Sequence, residues 1–559
     1  MQKNKQMQKN KRQNVKNVRS VIRQTVTGYA GLSLGILLAV AGAIVTALLP
    51  PWILGSIVDT ITTGNTVPVA LVILYFAFTV LTGLTESLRE GLLTVFGQKI
   101  THALRSSMME KYTNLTAGEL TKQEPGTIVS RFVGDVDTVE NLFTSGIISM
   151  FADACKIISI LVVIWLKNRG LAIVLLVLLP FLYWFTRAVQ KNMLKAQIEN
   201  RCAVGRASGH VPETLHNIRT IHTLGKERYM EQRYDEYIAE SYRAVDRTNF
   251  YDAIYSPVIL ILNAIVVAVV MLFSASGNAK VLTLFGMSAG TAIAVINYIS
   301  QIFTPVESLG MEIQTIQSAI AGVHRINEFY ALEELPERVR NLEIPVTTEE
   351  EMPFVELQNV TFAYEDDSRK ILHHVSFKVY PGEQVTLLGR TGAGKSTVFK
   401  LLLGLYQPGE GKVLIQGRDA FQIPENEKRS LYGYVEQTFH RVPGTVKDQI
   451  TLYDDSFTME EVREAARIAG LDATIEQLEK GYDTPCTQEI FSQGQWQLLS
   501  IARAAVAKPK LLLLDEITAN LDAQTEEEVL QALKRASEGR TVISISHRVN
   551  AETGRIIAI

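Results

Sequence analysis

Six apolar segments constrain this chain more than any other feature. They run over about 28–53, 67–87, 146–166, 171–188, 254–275 and 283–305. Each is near the ~20 residues that cross a bilayer core as a helix. Hydrocarbon offers no partner to a free backbone amide, so segments of this length and character predict spanning helices. The connections between the first and second, third and fourth, and fifth and sixth segments are short. The other two are about 60 residues each, rich in charge and helical in pattern. Two ~25-residue helices would carry each long loop roughly 40 Å away from the bilayer and back.

Charge sets the expected orientation. Lys3, Lys5, Lys9, Lys11, Arg12, Lys16, Arg19 and Arg23 all precede the first acid, Asp59. A basic flank beside the first apolar helix predicts a cytoplasmic N-terminus, with both long loops on the same side. Lys167 and Arg169 then fall outside, outnumbered by the tail. Ala39-Val40-Ala41 has the small residues of a signal cleavage site, but the apolar run continues through Ile53, longer than a signal segment requires. Trp52 and Trp165 near one boundary and Trp184 near the other suit an aromatic belt. The net charge of −3 gives no overall basic field for nucleic acid. Cys155, Cys202 and Cys486 are widely separated, without metal-ligand spacing, as in a reducing compartment. Asp153 and Lys156 lie three apart within the third segment. Charge at membrane depth is costly, so they are expected either to pair with each other or to contact polar cargo.

The remaining ~205 residues read differently. An acidic, Pro-containing linker ends near residue 353, and a soluble α/β domain opens with strands at Val355-Glu356-Leu357 and Val360-Thr361-Phe362. The stretch Gly389-Arg390-Thr391-Gly392-Ala393-Gly394-Lys395-Ser396-Thr397 follows an apolar strand, residues 384–388, and precedes a helical run. That is the context of a phosphate-binding loop. Gly389, Gly392 and Gly394 let backbone N–H groups converge on phosphate oxygens, and the following helix aims its N-terminus at the anion. Lys395 would reach the β- and γ-phosphates, and the Ser396 hydroxyl would ligate Mg²⁺. Four leucines, 511–514, form a buried-strand pattern that ends in Asp515-Glu516. Acids at the C-terminal end of such a strand sit where α/β sheets bind ligands. Asp515 would hold Mg²⁺, and Glu516 would polarise the attacking water.

With these motifs in order, residues 354–559 resemble the nucleotide-binding domain of the ABC transporter superfamily. Phe491-Ser492-Gln493-Gly494-Gln495 is similar to its signature Leu-Ser-Gly-Gly-Gln, departing at Phe491 and Gln493. The resemblance implies that Ser492, Gly494 and Gln495 face the γ-phosphate bound by another chain. It implies that Tyr364 stacks on adenine, that Gln437 contacts Mg²⁺ and senses the membrane domain, and that Asp522 links the two nucleotide sites. His547 would be the switch histidine. Residues 125–132 with Asp135-Val136-Asp137, and 213–221 with Gly225-Lys226-Glu227, resemble the intracellular loops of exporters whose six helices precede the cassette. Only eleven residues follow Arg548, fewer than such cassettes usually carry.

The expected fold is therefore a membrane α-helical domain of six transmembrane helices with long cytoplasmic extensions, plus an α/β P-loop nucleotide-binding domain. Its parts would be a basic cytoplasmic tail (1–27), a transmembrane domain (28–325), a linker (326–353) and the cassette (354–559). The expected activity is ATP hydrolysis with Mg²⁺, driving export of amphipathic cargo (a drug, lipid or peptide) through a multi-pass protein of the plasma membrane. The cassette would be cytoplasmic. The expected partners are a second copy or a related half-transporter and the lipid bilayer, with no nucleic acid. The rival expectations are an ATP-gated regulator with weak hydrolysis and half of a heterodimeric exporter.

Overall fold

The computed structural model describes residues 16–274, 288–335, 352–364, 369–390, 392–517, 521–545 and 554–559. The chain divides into two compact units: 1–113 with 124–332, and 114–123 with 333–559. Residues 114–123, which fall within the expected 28–325 range, group with the second unit.

The first unit is helical. A short helix, α1 (Val18–Gly28), leads into α2 (Ala30–Thr62), α3 (Val69–Thr113), α4 (Ile147–Lys167), α5 (Arg169–His216), α6 (Glu227–Ser274) and α7 (Ala289–Ala331). These six long helices hold the greater part of the six apolar segments; residues 275 and 283–287 lie outside the described set. Among the described residues, three stretches have the length and apolar character to cross a membrane: Ala30–Thr62, Val69–Thr113 and Pro125–Lys167. The remaining apolar segments lie in α5, α6 and α7. The basic tail up to residue 15 is outside the described residues; Lys16 pairs with Glu110 at 2.7 Å.

Long helices run on beyond their apolar parts, because the polar sequence that follows keeps helical patterning with few breakers, Pro212 inside α5 among them. The 45 residues of α3 rise about 68 Å at 1.5 Å each. The second long loop is built as expected, from the 48-residue helices α5 and α6. The first is not. Its return arm is broken into short pieces, Pro125–Ser130 and Val136–Asn141, with wide turns at Arg131–Asp135 and Leu142–Gly146. One cause is legible. Asp135 is buried and accepts bonds of 3.0 Å to each carboxylate oxygen from Nε of Arg325 on α7, and the adjoining wide turn holds that carboxylate inward.

Polar contacts join the apolar helices where small residues let backbones approach. Gly55 on α2 and Gly290 on α7 touch so closely that a Cβ on Gly290 would lie 1.9 Å from the Gly55 carbonyl oxygen. Asp59 caps this contact, accepting from the Gly290 amide at 2.8 Å and the Ser288 hydroxyl at 2.7 Å. Thr46 and Thr85 hydroxyls meet at 2.9 Å between α2 and α3. Asp153 and Lys156 do not form an ion pair among the described residues. Asp153 instead accepts from Ser308 on α7 at 2.6 Å, because the facing helix presents a hydroxyl at shorter reach.

Among the described residues, the second unit carries two sheets. An antiparallel sheet has the order β2-β1-β4-β5, with β1 (Val355–Phe362), β2 (Leu372–Val379), β4 (Glu410–Ile415) and β5 (Arg418–Asp419). A parallel sheet has the order β6-β7-β8-β3-β9, with β3 (Gln384–Leu388), β6 (Tyr432–Val435), β7 (Leu511–Asp515), β8 (Thr541–Ile545) and β9 (Arg555–Ala558). The last residues thus supply an edge strand beside β3, register Leu387 with Ile557. Three helices matter for the site: α8 (Lys395–Leu402) behind β3, α9 (Gln493–Ala505), and α10 (Ala523–Ser537).

Arg325→Ala is expected to destabilise the first unit by about 1–3 kcal/mol, since it strips a charged hydrogen-bond donor from a buried carboxylate. The thermal midpoint in detergent should fall, and Arg325→Lys should recover only part of it, because lysine lacks the planar fork.

Candidate functional site

Strands β3 and β7 end on the same side of the parallel sheet, with β8 between them, so their C-terminal loops lie about two strand spacings apart, ~10 Å. The loop after β3 is the glycine-rich stretch. Gly392 and Gly394 have φ of 84° and 98°, in the left-handed region that glycine adopts without strain. A Cβ on Gly394 would also lie 2.6 Å from Leu372. Gly389 is needed for another reason: its Cβ would approach the Ile559 carbonyl oxygen to 2.9 Å, where the edge strand crosses the loop. Lys395 begins α8, buried, and its ammonium donates to the carbonyls of Gly389 at 2.9 Å and Arg390 at 3.3 Å. The lysine therefore lies across the loop that it would share with phosphate. Ser396 is exposed and Thr397 buried.

Tyr364 stands beside this loop. Its hydroxyl lies 3.2 Å from the Thr397 hydroxyl, and Lys400 sits 5.3 Å from the ring centroid. Tyr406 meets it edge-on at 5.3 Å. The ring is thus held by neighbours on two sides.

Asp515 closes β7 and accepts from the Tyr434 hydroxyl at 3.3 Å. Burial pushes its carboxyl above the usual aspartate range, opposed by the Tyr434 bond and by Lys395; the neighbouring acids Glu516 and Glu436 push the same way as burial. Burial likewise raises the Tyr434 hydroxyl. Glu516 has φ of 44°, a left-handed conformation that costs a non-glycine residue energy and that recurs at functional sites. Its amide donates to the Ile545 carbonyl at 3.2 Å, so β8 holds the turn. His547 lies outside the described residues.

The second set of expected residues gathers at the N-terminus of α9. Ser492 is its cap: Ser492 Oγ accepts from the Gln495 amide at 3.3 Å, and the Gln495 side chain accepts from the Ser492 amide at 2.9 Å. This is a capping box. Phe491, just before the cap, packs edge-on against Trp496 at 5.3 Å, the hydrophobic staple that fixes the chain's approach to a helix. Gly494 has no room for a side chain, since a Cβ there would lie 2.0 Å from the Thr525 methyl. Thr525 in turn donates to Asp522 at 2.7 Å, and Asp522 caps α10. Gly494 and Asp522 are thereby joined through one residue. Gln437, exposed just after β6, is tied to α9 through its carbonyl, which accepts from Gln497 Nε2 at 2.6 Å.

Thr525 and Trp496 were not singled out by the sequence reading. Both stand at fixed offsets from caps, three after Asp522 and four after Ser492, and the capping rules give those offsets. The Gly494–Thr525 contact crosses between two helices and has no local signal.

Two family models match: the ABC transporter transmembrane region over residues 32–306 and the ABC transporter domain over 372–519. The chain belongs to the ABC transporter superfamily. This half-transporter is 26% identical over 488 residues to an ATP-dependent lipid A-core flippase of Syntrophus aciditrophicus, covering 87% of this chain and 79% of the flippase. It is 29% identical over 463 residues to a fatty acid ABC transporter ATP-binding/permease protein of Mycobacterium bovis, covering 82% and 72%. The solved structure of a bacterial Atm1-family ABC exporter with ATP bound superposes with a TM-score of 0.75 at 25% identity, covering 97% of this chain and 94% of that one. The half-transporter is accordingly a multi-pass membrane protein of exporter type whose cassette binds ATP and couples its hydrolysis to transport.

Gly494→Ala is expected to lower the thermal midpoint through overpacking, a cost of about 1–3 kcal/mol. Adding Thr525→Ser removes the clashing methyl and keeps the Asp522 bond, so the double variant should regain stability. Asp515→Asn is expected to raise the midpoint of the nucleotide-free protein at neutral pH. The sign follows from burial. A folded-state pKa above the unfolded value means that ionised Asp515 disfavours folding above that pKa, and the cost fades as pH falls through it. A thermal scan against pH should show the variant's advantage shrinking in acid.

Proposed function

We propose that this half-transporter pairs through its cassettes and uses ATP to move a lipid or similar amphipathic molecule across the bilayer, outward from the cytoplasmic side. The carrying observation is the placement of the Lys395 loop and of Asp515 and Glu516 at the same end of the parallel sheet, on strands β3 and β7 with β8 between them, in a chain whose other unit consists of long apolar helices. The two relatives named for lipid A-core and fatty acid cargo support a lipid-like substrate. The basic N-terminal flank supports an orientation with the cassette in the cytoplasm.

Hydrolysis in this reading is mostly positioning and charge stabilisation. The loop amides from Gly389 to Thr397 take the phosphates, and Lys395 turns from its carbonyls to the β- and γ-oxygens. Tyr364 receives the adenine. Glu516 orients the attacking water and draws on its proton, with His547 assigned the switch role that the family resemblance implies. Asp522 links the two sites. Ser492, Gly494 and Gln495 of a second chain complete each site against the γ-phosphate. ATP thus favours the closed pair because it contacts both chains, and a ligand shifts an equilibrium by its differential affinity. Closure turns the helices outward, and loss of phosphate resets them.

Among the described residues no three His, Cys, Asp or Glu side chains converge on one point. The donors that fit Mg²⁺ are the exposed Ser396 hydroxyl and the Asp515 carboxylate, with Gln437 contributing its side chain. This is the small protein share usual for an ion that keeps phosphate and water ligands. The acids around Asp515 leave an excess of negative charge that a divalent cation would offset. When bound, Mg²⁺ neutralises charge on the phosphate oxygens.

The test is ATPase activity of the full chain in lipid vesicles, beside Glu516→Gln. Activity in the parent and a loss of about 100-fold or more in the variant are expected if Glu516 handles the water. ATP binding without hydrolysis in the parent would instead assign the chain to a heterodimer or to the ATP-gated regulators.

A further inference from the structure

The segment that carries Gln437, residues 436–442, has no helix or strand of its own. Its place is set by side chains from elsewhere. Gln497 Nε2 holds the Gln437 carbonyl at 2.6 Å, and Arg503 donates to the His440 carbonyl at 2.9 Å. Gln449, fully buried, donates to the Val442 carbonyl at 2.8 Å and accepts from the Val442 amide at 2.9 Å. Between these bonds lies Phe439. The Trp496 ring stacks on it at 5.2 Å with a 27° tilt, and the Arg503 guanidinium lies 4.0 Å from its centroid. Trp496, Gln497 and Arg503 all belong to α9, the helix capped by Ser492.

Trp496 makes a second contact. Phe491, where the signature has leucine, meets the same indole edge-on at 5.3 Å. One ring therefore touches both the residue that introduces the Ser492 cap and the residue two beyond Gln437. A leucine at 491 and a small or charged residue at 496 would leave the helix capped, but would give the 436–442 segment no aromatic partner.

We propose that Trp496 is a positioning residue, which clamps the Gln437 segment to the Ser492 helix so that the two nucleotide-facing loops of one chain move as a single body. This rests on the ATPase reading above. It adds that communication between the Gln437 loop and the Ser492 loop runs through the Phe439–Trp496–Phe491 stack. The indole packs between the Phe439 and Phe491 rings. Its removal should loosen the approach to the transition state while the Lys395 loop, on separate elements, keeps its grip on ATP.

The experiment uses the full chain in lipid, with Trp496→Ala and Trp496→Phe. Three quantities are read: kcat, the dissociation constant of a fluorescent ATP analogue, and amide hydrogen exchange over 437–442 and 389–397. In Trp496→Ala, kcat should fall about tenfold or more with nucleotide affinity within about twofold, the pattern of a contact that matters at the transition state. Exchange should quicken at 437–442 and stay unchanged at 389–397. Trp496→Phe should restore both, because a phenyl ring can still stack. Unchanged exchange at 437–442 in the alanine variant would overturn the clamp, as would exchange quickened equally across the cassette. So would a fall in kcat matched by an equal loss of nucleotide affinity. If the parent shows no ATPase, the function reading fails, and the exchange measurement still decides the clamp.

Discussion

Parallel pairing of β3, β8 and β7 is the contact on which the nucleotide site depends. It brings the loop after Leu388 and the acids after Leu514 to the same edge of the sheet, although more than a hundred residues separate them. The register is held by an apolar interior in which Val385, Leu387, Leu513 and Ile543 are buried. One polar exception crosses that interior, the Thr386 and Ser544 hydroxyls meeting at 2.9 Å. The Ser544 hydroxyl also reaches the Val385 carbonyl at 3.4 Å, so this polar contact stays within the β3–β8 pairing. On the outer side β9 seals β3, and its close approach is what restricts position 389 to glycine.

The site keeps its charged groups in tension. Asp515 sits where burial disfavours its ionised form, beside two further acids, with Lys395 opposed. Lys395 is satisfied by two carbonyls of its own loop. Glu516 is held at a positive φ by the ladder bond to β8. Each of these is a local cost carried by the well-packed sheet beneath. In the reading proposed above, Asp515 and Glu516 are held where counter-ion and water would arrive, whereas Lys395 leaves two loop carbonyls to meet the anion. Arg503 shows the structural version of the same trade. Burial pulls its guanidinium down to about 10, and carbonyl bonds and a ring face compensate by fixing the loop beside it.

In the helical unit the organising constraint is the scarcity of hydrogen-bond partners away from water. Hydroxyls of Thr46, Thr82 and Thr85 bond back to their own helices and across to the neighbour. The Tyr298 hydroxyl finds the Leu48 carbonyl at 2.6 Å. Gly55 and Gly290 let the backbones of α2 and α7 touch. Of the two expectations for Asp153 and Lys156, mutual pairing assumed that helical spacing alone decides partners. The hydroxyl of Ser308, on a helix more than a hundred residues away in sequence, was closer.

Periodicity, spacing and local chemistry were sufficient for much of this. Segment length against bilayer thickness gave the apolar helices. A strand, a glycine loop and a lysine-led helix made the proposed phosphate site readable, since that chemistry needs no distant residue to be recognised. Caps three residues from their partners made Ser492–Gln495 readable in principle. What the chain could not disclose locally was contact across elements. The Thr525 methyl against Gly494, the Trp496 ring between Phe439 and Phe491, the broken return arm at Asp135 and the edge strand over Gly389 each depend on which surfaces meet after packing. Their energies are set by shape and by the loss of water between surfaces, and neither is encoded in the order of residues within any one segment.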